Sequence, residues 1–152
     1  MKILFPFVGD SVGGSHLSSL EICKTLKDNN YEVFVLLHNS DGPLSELLKK
    51  LEVEYEVIQI RYLAGQSPNK VMILLGMIIN IFTLAKFIKK NSIDIVHGND
   101  LRVNLTWSIA TLISKAKFIW HQRTILSDSK FWKGINILCD HFIGISHAVI
   151  NS

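Results

Sequence analysis

Short apolar runs alternate with longer stretches of helical period along this chain, and that alternation predicts its architecture. The runs at Ile3–Val8, Glu32–Leu37, Tyr55–Ile60, Ile93–Val96, Phe118–Trp120 and Phe142–Ile145 read as strands. Between the first two, Leu17, Leu20, Cys23 and Leu26 step along one face of a helix expected from Ser15 to about Asn30. Asp41-Gly42-Pro43 punctuates a loop ahead of a short helix ending at Lys50. A loop over Ala64–Asn69 leads into a long helix from about Lys70 to Lys90. The spacing of Leu101, Leu105, Ile109 and Leu112 marks a further helix, and another covers roughly Phe131–Leu138. Ser146 to Ser152 reads as an N-cap and a helix that stops after about two turns, as in a piece of something longer. Strands this apolar, separated by helices, imply a parallel sheet covered on both faces, a doubly wound α/β domain.

The long helix is unusual. Val71 to Ala85 contains no charged residue and is apolar nearly all round. A spanning helix needs roughly 20 apolar residues, and this run is shorter and carries Asn80 and Thr83. The expectation is a helix buried in the domain, with the alternative of one dipping a face into a membrane surface.

Composition bounds the rest. A chain of 152 residues, 48% hydrophobic and 19% charged, fits one globular domain over 1–152. The net charge of +3 is mild, and the only basic doublets, Lys49-Lys50 and Lys89-Lys90, fall at expected helix C-termini where cations offset the dipole. No stripe for nucleic acid stands out. Cys23 and Cys139 have apolar neighbours and read as buried free thiols in a reducing compartment. No Cys/His spacing matches a zinc site. The leading MKILFPFVGDS is too short an apolar run for a signal peptide and is broken by Pro6, so a cytoplasmic protein is expected.

The histidines then change the picture. Of six, His38, His97, His121 and His147 fall at or just past a strand's end, His16 lies in the first turn of the first helix, and only His141 opens a strand. Ligands of open parallel sheets bind outside the carboxyl ends of the strands, and imidazoles titrate near neutral pH. The turn Gly9-Asp10-Ser11-Val12-Gly13-Gly14-Ser15 fits two readings. Its glycines can adopt positive φ and admit a ligand, an anion at the helix N-terminus, or they make a tight turn and nothing more. Ser11 breaks the dinucleotide fingerprint, and Ser15-His16 replaces the Lys-Ser/Thr of a P-loop. In Asp94-Ile95-Val96-His97-Gly98-Asn99-Asp100, His97 and Asn99 suit sugar hydroxyls, while Asp100 reads as the cap of the next helix. Trp120-His121-Gln122-Arg123 sets a histidine beside an arginine capable of bidentate bonding to a phosphorylated ligand.

These pieces together resemble the amino-terminal half of a GT-B glycosyltransferase of the large retaining family 4. The resemblance is carried by Val12-Gly13-Gly14 before a helix, "LKDNNYEVFVLL", "DIVHGND", "FIWHQR" and "CDHFIGISHAVI", in that family's order and at about its spacing. It implies one Rossmann-like half of a two-domain architecture that closes over a nucleotide sugar. By the resemblance, Gly13 and Gly14 would lie against the donor diphosphate, His121 would contact the donor sugar near the reacting carbon, and Ser146 would lie on the donor side. His16, His97, Asn99 and Arg123 would face the acceptor, a glycan or glycolipid of polysaccharide biosynthesis. No catalytic metal or other cofactor is expected, and the carboxyl-terminal domain, with its nucleotide pocket and paired glutamates, is absent from these residues. The isolated domain is expected to be inert, with peripheral contact at the inner face of the membrane allowed by the long helix. Two other readings stand: half of a GT-B-type sugar-nucleotide epimerase, and a non-catalytic module that binds a partner protein.

Overall fold

The computed structural model describes residues 1–60, 70–125 and 136–150. Six parallel strands make one sheet in the order β3-β2-β1-β4-β5-β6, where β1 is Lys2–Phe7, β2 Glu32–Leu37, β3 Glu56–Val57, β4 Ile95–Gly98, β5 Lys117–Gln122 and β6 His141–Gly144. The connecting helices are α1 (Gly14–Asp28), α2 (Pro43–Lys50), α3 (Lys70–Asn91) and α4 (Leu101–Ser114), with a 3-10 turn at Asn136–Leu138 and a closing helix α5 (His147–Ile150). The order reverses between β1 and β4, the position at which sheets of this kind open a crevice for ligands.

Side chains that alternate along each strand feed two cores. Ile3, Phe5, Phe7, Val35 and Leu37 meet Cys23 of α1 and Leu44 and Leu48 of α2 on one face. Leu4, Leu36, Val96, Phe118 and Trp120 meet Leu84, Ala85 and Ile88 of α3 and Val103, Trp107 and Ala110 of α4 on the other. The doubly wound, Rossmann-like domain is therefore as the alternation predicts.

Several boundaries differ from expectation. β3 is two residues rather than six, because it is an edge strand paired only with β2. Ile93 is not in β4: its N–H donates to Ile88 O (3.0 Å) and Ser92 takes φ 54°, so these residues close α3 instead. β4 and β5 extend further, and His97 and His121 become ladder residues in register with Ile119 and Ile143. Cys23 is buried as expected, whereas Cys139 is only half-buried. The buried long helix is also corrected. α3 buries Leu84, Ala85 and Ile88, but Leu75, Ile79 and Phe82 face outward. No helix among the described residues is long and apolar enough to cross a membrane. The expected loop over 64–69 and most of the helix expected at 131–138 lie outside the described residues.

Candidate functional site

The site is built at the carboxyl edge from the turn after β1, the end of β4 and the end of β5. Gly9 makes the turn possible: its φ is 95°, and a Cβ there would lie 2.5 Å from Asn39 O. Gly13 and Gly14 differ from the positive-φ expectation. Gly13 is extended (φ −155°), with no protein atom nearer than 4.0 Å to a Cβ built on it, and a Cβ on Gly14 would meet nothing within 4 Å. Among the described residues, nothing requires glycine at either position. The surface they leave is open to a close approach from outside.

His16 reaches back from the first turn of α1, its Nδ1 accepting from Gly13 N–H at 3.1 Å. His16 and Leu17 N–H donate to Gly13 O, and among the described residues the N–H groups of Gly14 and Ser15 are open at the helix N-terminus. Burial pulls His16 below its ordinary pKa, against the attraction of Asp100 and Asp10. The turn is tied across the crevice by Asp10, whose carboxylate accepts from Arg102 Nη1 (2.6 Å) and Nη2 (3.0 Å). That pairing holds Asp10 below its usual carboxylate range. Arg102 is also the backbone donor to Asp100 Oδ1 (2.8 Å), so Asp100 is the cap of α4 as expected.

His97 and His121 meet because adjacent parallel strands place residues of one face side by side. His97 lies opposite Ile119, and His121 is two residues further along that face of β5. Their rings stack at 5.4 Å and share one hydrogen bond between His97 Nε2 and His121 Nδ1 at 3.3 Å. Phe5 lies 4.8 Å from the His97 ring. Burial, followed by the charges of His121 and Arg123, pushes His97 down to about 4. His121 is lowered as well, by burial first and Arg123 second. Both rings are neutral near pH 7, so one N–H serves their shared bond and the pair keeps one N–H to give.

Arg123, just past β5, donates from Nη2 to Ser19 Oγ of α1 (3.3 Å). Among the described residues its Nε is buried without a partner, and so are both polar atoms of the Asn99 amide, on a residue only 2% exposed. A cavity of about 150 Å³ lined by Ser15, Asn99, Asp100, Leu101, His121, Gln122, Arg123 and Thr124 opens here. Ligand pockets hold roughly 300–1,000 Å³, and this cavity is smaller than that range. A larger concavity, about 710 Å³, lies near the start of β2 beside Lys27, Glu32 and Tyr55. None of the residues singled out for chemistry lines it.

Of the sequence-predicted residues, the structure gathers Gly13, Gly14, His16, His97, Asn99, His121 and Arg123 around this crevice. Ser146 is exposed at the start of α5, its Oγ accepting from Val149 N–H at 3.3 Å, and does not line the cavity. His38 leaves the rim for the core: Nδ1 donates to Ile58 O (2.8 Å), Nε2 accepts from Trp107 Nε1–H (2.9 Å), and burial pushes it down to about 4. His147 is exposed on α5. Sequence reasoning missed the Asp10–Arg102 clasp, which joins positions 92 residues apart, and Ser19, whose signal was a hydroxyl on the apolar face of α1. It also missed Gln122, held by Trp120 Nε1–H at 2.8 Å and by Thr124.

The profile of Glycosyltransferase Family 4 matches residues 12–152. No curated protein matches by sequence. Solved structures share the fold at low identity. A glycosyltransferase from Rickettsia africae matches at 22% identity and a TM-score of 0.73, over 99% of this chain and 38% of that one. HepE of Anabaena, in complex with UDP and glucose, matches at 21% and 0.69, over 99% and 40%. A putative UDP-N-acetylglucosamine 2-epimerase from Listeria monocytogenes matches at 12% and 0.69, over 99% and 40%. The chain thus spans about two fifths of the length of these proteins.

Proposed function

The chain belongs to glycosyltransferase family 4, and on that premise we propose that it is the amino-terminal, acceptor-side domain of an enzyme that moves a sugar from a nucleotide sugar to a glycan or glycolipid with retention. The observation that carries this reading is the set of buried polar atoms without a partner among the described residues, Asn99 Nδ2 and Oδ1 and Arg123 Nε, beside the His97–His121 pair. Each such group costs about 1–3 kcal/mol when left unsatisfied, and ligand hydroxyls or phosphate oxygens would satisfy them.

In this reading Gly13 and Gly14 lie against the donor diphosphate, whose charge meets the open N–H groups of Gly14 and Ser15. His121 donates to the donor sugar, and Ser146 lies on the donor side. His16, His97, Asn99 and Arg123 face the acceptor. The chemistry needs no catalytic metal, because Arg123 and the amino terminus of α1 supply positive potential. A second, carboxyl-terminal domain outside these residues holds the nucleotide, and this domain alone does not turn over. The work is cytoplasmic and belongs to polysaccharide biosynthesis. The complexes of HepE with UDP and UDP-glucose support a nucleotide-sugar donor.

The likeness to epimerases favours a second reading, half of a sugar-nucleotide epimerase. One assay separates the two: the enzyme with its second domain is given a panel of sugar nucleotides, with and without glycan acceptors, and products are followed by NMR. Transfer with the anomeric configuration kept is the expected result. Epimerised sugar nucleotide formed without acceptor would replace the transferase reading.

A further inference from the structure

α3 has two faces of opposite accessibility, and the outer one is the wrong chemistry for water. Leu84, Ala85 and Ile88 are buried against the sheet, and Phe87 meets Trp107 edge-on at 6.5 Å. On the other side Leu75 is 55% exposed, Ile78 45%, Ile79 67% and Phe82 65%. Steps of three and four residues put these four in one stripe. A surface helix ordinarily turns charged and polar residues outward, and an exposed apolar patch marks a contact site. The stripe continues into charge: Lys86 and Lys89 follow Phe82 by four and seven residues on the same face, Lys90 adjoins them, and all three are exposed. α3 contains no Asp or Glu.

We propose that this face docks the protein on an anionic lipid bilayer, with α3 lying along the lipid–water interface, Leu75, Ile78, Ile79 and Phe82 dipping into the acyl boundary and Lys86, Lys89 and Lys90 on anionic headgroups. An apolar stripe flanked by lysines matches that environment, in which binding scales with buried apolar area and with attraction to anionic lipid. Crossing is not available to it, since no helix among the described residues is long and apolar enough. A second copy fits poorly. Parallel helices would set lysines against lysines, and antiparallel ones would press ammonium groups onto the apolar stripe without a partner. The placement also suits work on a surface-bound acceptor. α3 starts from the carboxyl edge and returns to the amino edge before β4, so the apolar end of the stripe is the end nearer the crevice. The proposal does not rest on the transferase reading, because the docking face and the crevice share no residue.

The test is flotation of the chain with vesicles of phosphatidylcholine alone and of phosphatidylcholine mixed with phosphatidylglycerol, with sedimentation run in parallel. The chain is expected to float with the mixed vesicles and not with the neutral ones. An Ile79→Ser/Phe82→Ser variant should lose flotation. A Lys86→Ser/Lys89→Ser/Lys90→Ser variant should bind about a hundredfold more weakly, from about a fivefold contribution per lysine near an anionic surface. Circular dichroism and urea midpoints should match wild type in both, since every altered side chain is exposed. Absence of wild-type flotation, undiminished flotation of the Ile79/Phe82 variant, or a dimer that this variant dissociates would each overturn the proposal.

Discussion

In the proposed transferase, His121 is the residue on which the chemistry turns. Its Nδ1 is committed to His97, so one ring nitrogen remains for the crevice, where Arg123 and the open glycine turn converge. On the proposed reading, a hydrogen bond from His121 to a sugar that becomes cation-like as the diphosphate leaves would stabilise the transition state electrostatically. Removing one preorganised donor of this kind costs about 2.7–4 kcal/mol. His121→Ala should therefore lower kcat roughly a hundred- to a thousandfold with nucleotide affinity nearly unchanged, as steady-state kinetics with isothermal titration will show. His38 gives a separate, structural prediction. It is held neutral, its pKa lowered from 6.5 to about 4. The unfolded chain therefore takes up a proton, between those two values, that the folded chain refuses. The contribution of His38 is complete above pH 6.5 and is lost as pH falls toward 4, to a total of about 3 kcal/mol. Urea midpoints measured from pH 7.5 to pH 4.5 should fall in wild type. A His38→Gln variant, less stable at neutral pH, should show a shallower fall; an equal slope in both would remove His38 as the cause.

The glycines separate positions that the fold needs from positions that a ligand needs. Gly98, in β4, is fenced by the buried amide of Asn104 and by Phe118 Cζ, which would lie 2.9 Å from an added Cβ. Gly98→Ala should cost about 1–3 kcal/mol by overpacking, seen in a lowered urea midpoint. Gly14→Ala should not: a Cβ there would meet nothing within 4 Å among the described residues, and alanine gives up less backbone entropy than glycine at a helical position. The isolated chain should be as stable or more so, while donor affinity of the assembled enzyme falls. Donor affinity equal to wild type would return the turn to a purely structural role. The same contrast explains what was legible in the sequence. Pattern alone located every described strand and the glycine turn, because period and punctuation are local. It did not see that His38 would be claimed by Trp107, 69 residues away, or that Arg102 would clasp Asp10, because those pairings exist only after β1, β2 and α4 are side by side. Nor did the even hydrophobicity of α3 reveal which of its faces would be left outside.

The domain as a whole offers an open crevice at the carboxyl edge of its sheet. Its cavity of about 150 Å³ is smaller than a ligand site requires, yet His121, Arg123 and the Asn99 amide, which has no partner among the described residues, line it, with His97 bonded to His121 behind them. If a second domain supplies the nucleotide pocket, most of the binding free energy for a sugar nucleotide is absent from this chain, which can offer the diphosphate only Gly14 and Ser15 N–H and Arg123. A few hydrogen bonds in a solvent-open half-site net about 1 kcal/mol each, against a free energy of about −8 kcal/mol for micromolar affinity. Isothermal titration of the 152-residue chain with UDP-glucose and related sugar nucleotides should therefore give affinity no tighter than millimolar, and no hydrolysis or transfer. Micromolar binding to this chain alone would place the nucleotide on this domain rather than on a second one, and would make the crevice between β1, β4 and β5 a donor site in its own right.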